Sequence, residues 1–159
     1  MNTPRVYVCF DAHGSKNPAA TDLKYYFLLR AWGRRAPLAR TFIDVHRSAP
    51  RFCPDSGDIR RALAKRLHDS DLVLLILSER TPVTAGWVSW EIDFATQQCG
   101  LPIVCAYPGR DVIDAQEGHR PWWPGALQRL MSEKRVHALH VPFRPRALAR
   151  AFARFPHPP

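Results

Sequence analysis

Between Asp71 and Ser78 the chain reads Leu-Val-Leu-Leu-Ile-Leu, an apolar run with no polar interruption. A strand with one wet face alternates, whereas a strand apolar at every position is covered on both faces. Helical patterns flank this one. Before it, Ile59, Leu63 and Leu67 fall on one stripe, with Arg60, Arg61 and Lys65 off it. After it, Trp87 to Cys99 carries Val88, Ile92, Ala95 and Cys99 on one stripe and stops at Gly100. A doubly covered strand between two such helices calls for a parallel sheet with helices packed on it.

The rest of the chain continues the alternation. Arg5-Val-Tyr-Val-Cys-Phe10 is a β-branched and aromatic run, a first strand. Asp11 to Ala20, with Gly14, Asn17 and Pro18, is loop. Leu23, Tyr26, Phe27, Leu29 and Trp32 recur at helical spacing, behind a Thr21-Asp22 start signal and ahead of a Gly33 stop. Thr41 to Asp44 is a second strand. Val45 to Gly57, broken by Pro50 and Pro54, is a long irregular loop of the kind compact domains keep for function. Pro102 to Tyr107 is a fourth strand, Asp111 to Pro124 loop, Ala126 to Met131 a short helix, Val136 to Val141 a fifth strand and Pro145 to Phe155 a last helix. No linker or repeat interrupts residues 1–159, which read as a single domain. The pattern predicts an α/β, flavodoxin-like three-layer sandwich with a five-stranded parallel sheet.

Hydrophobic residues at 46% and charged residues at 23% exclude wholesale disorder. No apolar run approaches the ~20 residues that span a bilayer, and a strand begins almost directly after Met1, so a cytoplasmic protein without signal peptide or membrane contact is expected. Cys9, Cys53, Cys99 and Cys105 show neither a CxxC pair nor metal-ligand spacing, and no metal site is expected. His137 and His140, three apart on a strand, point to opposite faces and make a poor metal pair. A net charge of +9 favours anionic partners. Nucleic acid is not expected among them. Arg146, Arg150 and Arg154 opposite Leu148, Ala151, Phe152 and Phe155 are what a solvated amphipathic helix gives, and no nucleic-acid-binding motif accompanies them. Neither a GxGxxG nor a P-loop is present, so no bound cofactor is expected.

In an open parallel sheet, ligands bind beyond the carboxyl ends of the strands. That rule selects Phe10 and Asp11 after the first strand, Asp44, His46 and Arg47 after the second, and Ser78 after the third. It also selects the first turns of the following helix, where Glu91 lies in Trp87-Val-Ser-Trp-Glu-Ile92. On a helical wheel Trp87, Glu91 and Phe94 share a face beside the core stripe, which presents an exposed carboxylate between two aromatics to the cleft. A Glu so placed is expected to stay ionised, because the helix dipole favours its charged form.

Taken together these stretches resemble the TIR-like family that includes the sensor subunit of bacterial Thoeris anti-phage defence. The likeness runs from Arg5 to Pro108, through Val6 to Phe10, Tyr26 to Trp32, Phe42 to Asp44, Ile59 to Leu67, Ser70 to Ser78, Trp87 to Ala95 and Leu101 to Val104. Its most specific part is the Trp-Val-x-x-Glu-Ile unit after an apolar strand ending in Ser. The chain departs from the family pattern where its first strand ends Val-Cys-Phe-Asp and in the long Ala12 to Ala20 segment. The resemblance implies an NAD⁺ glycohydrolase or cyclase, with NAD⁺ as substrate and Glu91 as the catalytic residue. One carboxylate suffices, since nicotinamide departs neutral and needs no general acid; the developing oxocarbenium charge must be stabilised instead. On that reading Trp87 and Phe10 pack on the nicotinamide or adenine, and Arg47 meets the pyrophosphate. The resemblance further implies self-association, and a cyclic ADP-ribose-type signal read by a separate effector protein. An aromatic border of Phe10, Trp87, Trp90 and Phe94 suits a site that excludes water.

Two other readings compete. One is a catalytically silent TIR-like interaction module. The other is a nucleoside deoxyribosyltransferase-like enzyme, whose Tyr-Leu-Ala-Gly-Pro-like first loop is not matched by Cys9-Phe-Asp-Ala-His13. A phospho-receiver domain would need an Asp where this chain has Ser78.

Overall fold

Strands β1 (Arg5–Cys9), β2 (Ile43–Asp44), β3 (Leu72–Ile76), β4 (Ile103–Tyr107) and β5 (Ala138–Pro142) join in one sheet, order β2-β1-β3-β4-β5, with every pairing parallel. The computed structural model describes residues 3–11, 22–45, 56–79, 81, 86–113 and 116–158. Helices α1 (Leu23–Trp32), α2 (Ser56–His68), α3 (Gly86–Asp93), α4 (Gly125–Ser132) and α5 (Pro145–Phe152) alternate with the strands. The strand order reverses between β1 and β3, the switch point at which such sheets open a crevice. This is the flavodoxin-like arrangement anticipated from the alternation.

Side-chain parity along the strands builds two cores. Tyr7, Cys9, Val73, Leu75, Ile103, Cys105 and Tyr107 face α2, α3 and α4, packing on Leu67, Val88, Ile92, Ala95, Leu127 and Leu130. Val6, Val8, Leu72, Leu74, Ile76, Val104 and Ala106 face α1 and α5, packing on Tyr26, Leu29, Leu148, Ala151 and Phe152. The solid Leu72–Ile76 run is buried at every position because it feeds both cores. Arg146, Arg150 and Arg154 lie on the exposed side of the last helix and the turn that follows it.

Several element limits differ from the sequence reading, and for three of them a local cause is visible. The second strand shrinks to two residues because both the amide and the hydroxyl of Thr41 bond the Leu38 carbonyl, at 3.1 and 2.8 Å, closing a turn through Arg40 at φ 62°. The helix read as Trp87 to Cys99 is α-helical only to Asp93 and continues as a π-helical turn, Phe94–Gln98. There the Thr96 hydroxyl donates to the Ile92 carbonyl at 2.8 Å, and Gly100 ends the turn at φ 65°. Within Asp111 to Pro124, read as loop, Gln116–Trp122 forms a 3-10 segment. Its His119 ring sits 4.6 Å from the Tyr107 ring, an aromatic contact that periodicity does not advertise. The last helix stops at Phe152 instead of Phe155.

The histidine pair is divided, with only His140 inside the strand. His137 is exposed just ahead of β5, while His140 lies within it with Nδ1 2.7 Å from the Tyr107 hydroxyl. Burial, with the nearby His119, lowers the His140 pKa to about 4, so its ring is neutral at physiological pH. Among the described residues no helix is long and apolar enough to cross a membrane, and no group of three or more His, Cys, Asp or Glu is placed to hold a metal.

Candidate functional site

Helix α3 follows β3 and lays Val88, Ile92 and Ala95 on the sheet. Glu91, next to Ile92, is carried inward with them and is only 8% exposed. The expectation of an exposed cleft carboxylate is therefore corrected: the core stripe is broad enough to include Glu91. Its partners come from β1. The Tyr7 hydroxyl donates a short hydrogen bond to Oε1, and the Cys9 thiol donates to Oε2 at 3.1 Å. Both reach the same side because residues i and i+2 of a strand share a face.

The protonation states follow from burial. Desolvation, reinforced by the Glu91 charge, raises the pKa of Tyr7 and of Cys9 well above their ordinary values. Both therefore keep their protons at neutral pH and act as donors. Desolvation also raises the pKa of Glu91 itself, opposed by those two hydrogen bonds and by the charge of Arg66 on α2. Burial thus outweighs the helix-end effect that was expected to keep the residue an ordinary ionised Glu. In its ionised form, a carboxylate in a poorly solvated site, gripped by two donors and facing the carboxyl-terminal half of β1, is a strong local source of negative potential.

A second buried carboxylate ties the loops at the same end of the sheet. Asp22 occupies the N-cap position of α1, yet its side chain makes no capping bond. Instead it accepts from the Ser78 hydroxyl at 2.6 Å and the Thr81 hydroxyl at 2.8 Å, while its amide donates to the Asp11 carbonyl at 3.2 Å. The Thr81 oxygen in turn accepts the Ser78 amide at 2.9 Å. At 2% exposure Asp22 is read best as the knot joining the segment after β3 to the start of α1. Asp22→Ala strands both hydroxyls without their buried acceptor. We expect it to lower unfolding free energy by about 2–4 kcal/mol in urea titrations, with Asp22→Asn losing less. An Ala variant within ~0.5 kcal/mol of wild type would remove the knot from the account.

The sequence-selected residues thus fall into separate groups. Phe10 stacks on Tyr26 with ring centroids 5.0 Å apart, and the Tyr26 hydroxyl donates to Asp44 at 2.9 Å. Tyr26 belongs to the core on the α1 and α5 side, and Phe10 packs against that core. Asp11 is buried, and its charge helps raise the pKa of Cys9. Ser78 is buried beside Asp22. His46 and Arg47 lie outside the described residues. Trp87 is 45% exposed, edge-on to Trp90 at 6.1 Å, and Trp90 stacks on Phe94 at 5.3 Å. Phe94 meets His68 of α2. The four aromatics taken as one border are hence two sets, Phe10 with Tyr26 and the Trp87–Trp90–Phe94 ladder, because α3 turns its aromatics toward α2. Tyr7, Cys9, Asp22 and Thr81 were missed. For the first two a signal existed: a Tyr and a Cys two apart are the only side chains with polar hydrogens in the apolar part of β1, and strand parity aligns them.

The comparisons agree with this architecture. A conserved protein from Enterococcus faecalis V583 superposes with a TM-score of 0.59 at 15% identity, covering 96% of this chain and 98% of that one. The CMP N-glycosidase BcmB of Clostridium botulinum superposes with a TM-score of 0.52 at 12% identity, covering 94% and 97%. A search of curated proteins finds no match. The family model described as the TIR-like domain of Thoeris protein ThsB matches residues 7–112, which include Tyr7 and Cys9 of β1, the Asp22 knot and Glu91. That span is well over half the chain, and the protein belongs to the TIR-like domain family of Thoeris protein ThsB.

Proposed function

We propose that this protein cleaves the nicotinamide–ribose bond of NAD⁺. The observation that carries the reading is Glu91: a buried carboxylate, held by Tyr7 and Cys9 at the carboxyl end of a parallel sheet, in a chain of this family. The bond from ribose C1′ to the pyridinium nitrogen breaks, and its electron pair leaves with nicotinamide, which departs neutral. The positive charge left on the ribose is stabilised by Glu91 across a poorly solvated gap. A nucleophile then bonds to C1′. Water gives linear ADP-ribose and a proton. A nucleophile of the same molecule gives a cyclic ADP-ribose-type product, lighter by one water, and we favour this as a signal to a separate effector protein.

Self-association belongs to the same proposal, with a neighbouring copy completing the site. We expect specific activity to rise with protein concentration, followed by chromatography and mass measurement of products from NAD⁺. Activity per molecule that stays flat over a wide dilution series counts against assembly, and linear ADP-ribose as sole product reduces the enzyme to a plain hydrolase. CMP goes into the same panel, because the BcmB fold is shared. Turnover of CMP but not NAD⁺ would transfer the reading to nucleotide N-glycosidase chemistry.

A further inference from the structure

Among the described residues, Arg60, in the first half of α2, is the one charged side chain within cation–π reach of the aromatic ladder beside the Glu91 helix. Its guanidinium lies 5.8 Å from the Trp87 ring centroid and 6.0 Å from that of Trp90, in the notch where the two indoles meet at 81°. Trp87 sits one helical turn before Glu91. No hydrogen bond or ion pair joins Arg60 to any described residue, and it is exposed. Held over the indoles by cation–π attraction and bonded to no described residue, the guanidinium keeps its N–H groups available as the fork that matches two oxygens of a phosphate. Stacking also restricts a side chain that otherwise loses much rotamer freedom on binding. An indole left half in water is then explained as the platform for this cation.

From this arrangement we infer that Arg60, held by Trp87 and Trp90, grips the 5′-phosphate or pyrophosphate of the nucleotide substrate. The inference rests on the reading of Glu91 as the centre of a nucleotide-cleaving site and adds the residue that recognises the anion. It also changes the part played by Trp87, from packing on a base to orienting Arg60.

The test is calorimetric binding of ADP-ribose, AMP and adenosine to wild type, Arg60→Ala, Arg60→Lys and Trp87→Ala, with steady-state NAD⁺ cleavage alongside. Arg60→Ala should weaken ADP-ribose and AMP tenfold or more and leave adenosine within about twofold. Trp87→Ala should show the same phosphate-selective loss. Arg60→Lys, with charge but no fork, should fall between. Equal losses for AMP and adenosine, no loss for either, or no binding of any probe to wild type at millimolar concentration would overturn the grip. NAD⁺ cleavage with unchanged KM in Arg60→Ala would overturn it too, while leaving the glycohydrolase reading standing. Arg60-dependent AMP binding by a concentrated wild-type sample that cleaves no NAD⁺ would do the reverse.

Discussion

Glu91→Gln is expected to lose NAD⁺ turnover by about 10²–10³-fold or more while making the protein more stable at neutral pH. The two effects have one cause. Burial raises the folded-state pKa of Glu91 above its unfolded value, so the folded form resists ionisation. Below the ordinary Glu pKa of about 4.3 the residue is protonated in both states and costs nothing. As pH rises through the folded-state pKa, stability is lost, because the unfolded chain ionises more easily than the folded one. Gln keeps the size and one acceptor, and its amide can donate to the Tyr7 oxygen or the Cys9 sulfur, but it never ionises. The melting temperatures of variant and wild type should therefore lie close together at pH 4 and separate as pH rises, by about 2–4 °C per kcal/mol for a chain of this length. Differential scanning calorimetry across that range checks the stability half, and chromatography of NAD⁺ digests the catalytic half. A variant with wild-type turnover ends the catalytic assignment. A variant less stable than wild type at neutral pH shows that the carboxylate was holding the fold together.

Tyr7→Phe should lower kcat/KM by ~10–100-fold, the value of one hydrogen bond to a charged group, and move the acid limb of the pH–activity profile upward. The Tyr7 hydroxyl lowers the Glu91 pKa by donating to the ionised form. Without it, more of the enzyme carries a protonated and inert Glu91 at any given pH below the limb. Raising the pH should then restore part of the lost activity. Cys9→Ala should move the limb the same way and Cys9→Ser, which keeps a donor, should move it less. A loss of activity with the limb in its wild-type place would mean that Tyr7 supports packing alone.

The parts of the molecule that sequence made legible are those governed by period and burial. The doubly covered Leu72–Ile76 strand, the stripe of Val88, Ile92 and Ala95, and the stop at Gly100 each follow from one rule, and together they place Glu91 on the helix that follows the carboxyl end of β3. What the wheel could not supply was depth. Glu91 and Ile92 are adjacent, and whether the former is at the rim or under the helix depends on how close α3 lies to β1, which no local pattern encodes. Asp22 marks the helix start as read, but the partner of its carboxylate was hidden for a related reason. An Asp before a helix ordinarily caps it, but here Ser78 and Thr81, more than fifty residues on, compete for the carboxylate and win. The aromatic border failed because a list of rings carries no direction, and α3 aims its ladder at α2.

The two-residue alternation along β1 limits how this protein's descendants can vary. Inserting or deleting a single residue within Arg5–Cys9 would exchange the faces, bringing Val6 and Val8 under Glu91 and driving the Tyr7 hydroxyl toward Leu29 and Phe152. The carboxylate would meet two isopropyl groups, and a phenol would enter a core of aliphatic and aromatic side chains. Heritable length changes are thereby pushed outside this strand, to positions before Arg5 or after Phe10. Inside it, change proceeds only by substitution, one side chain at a time.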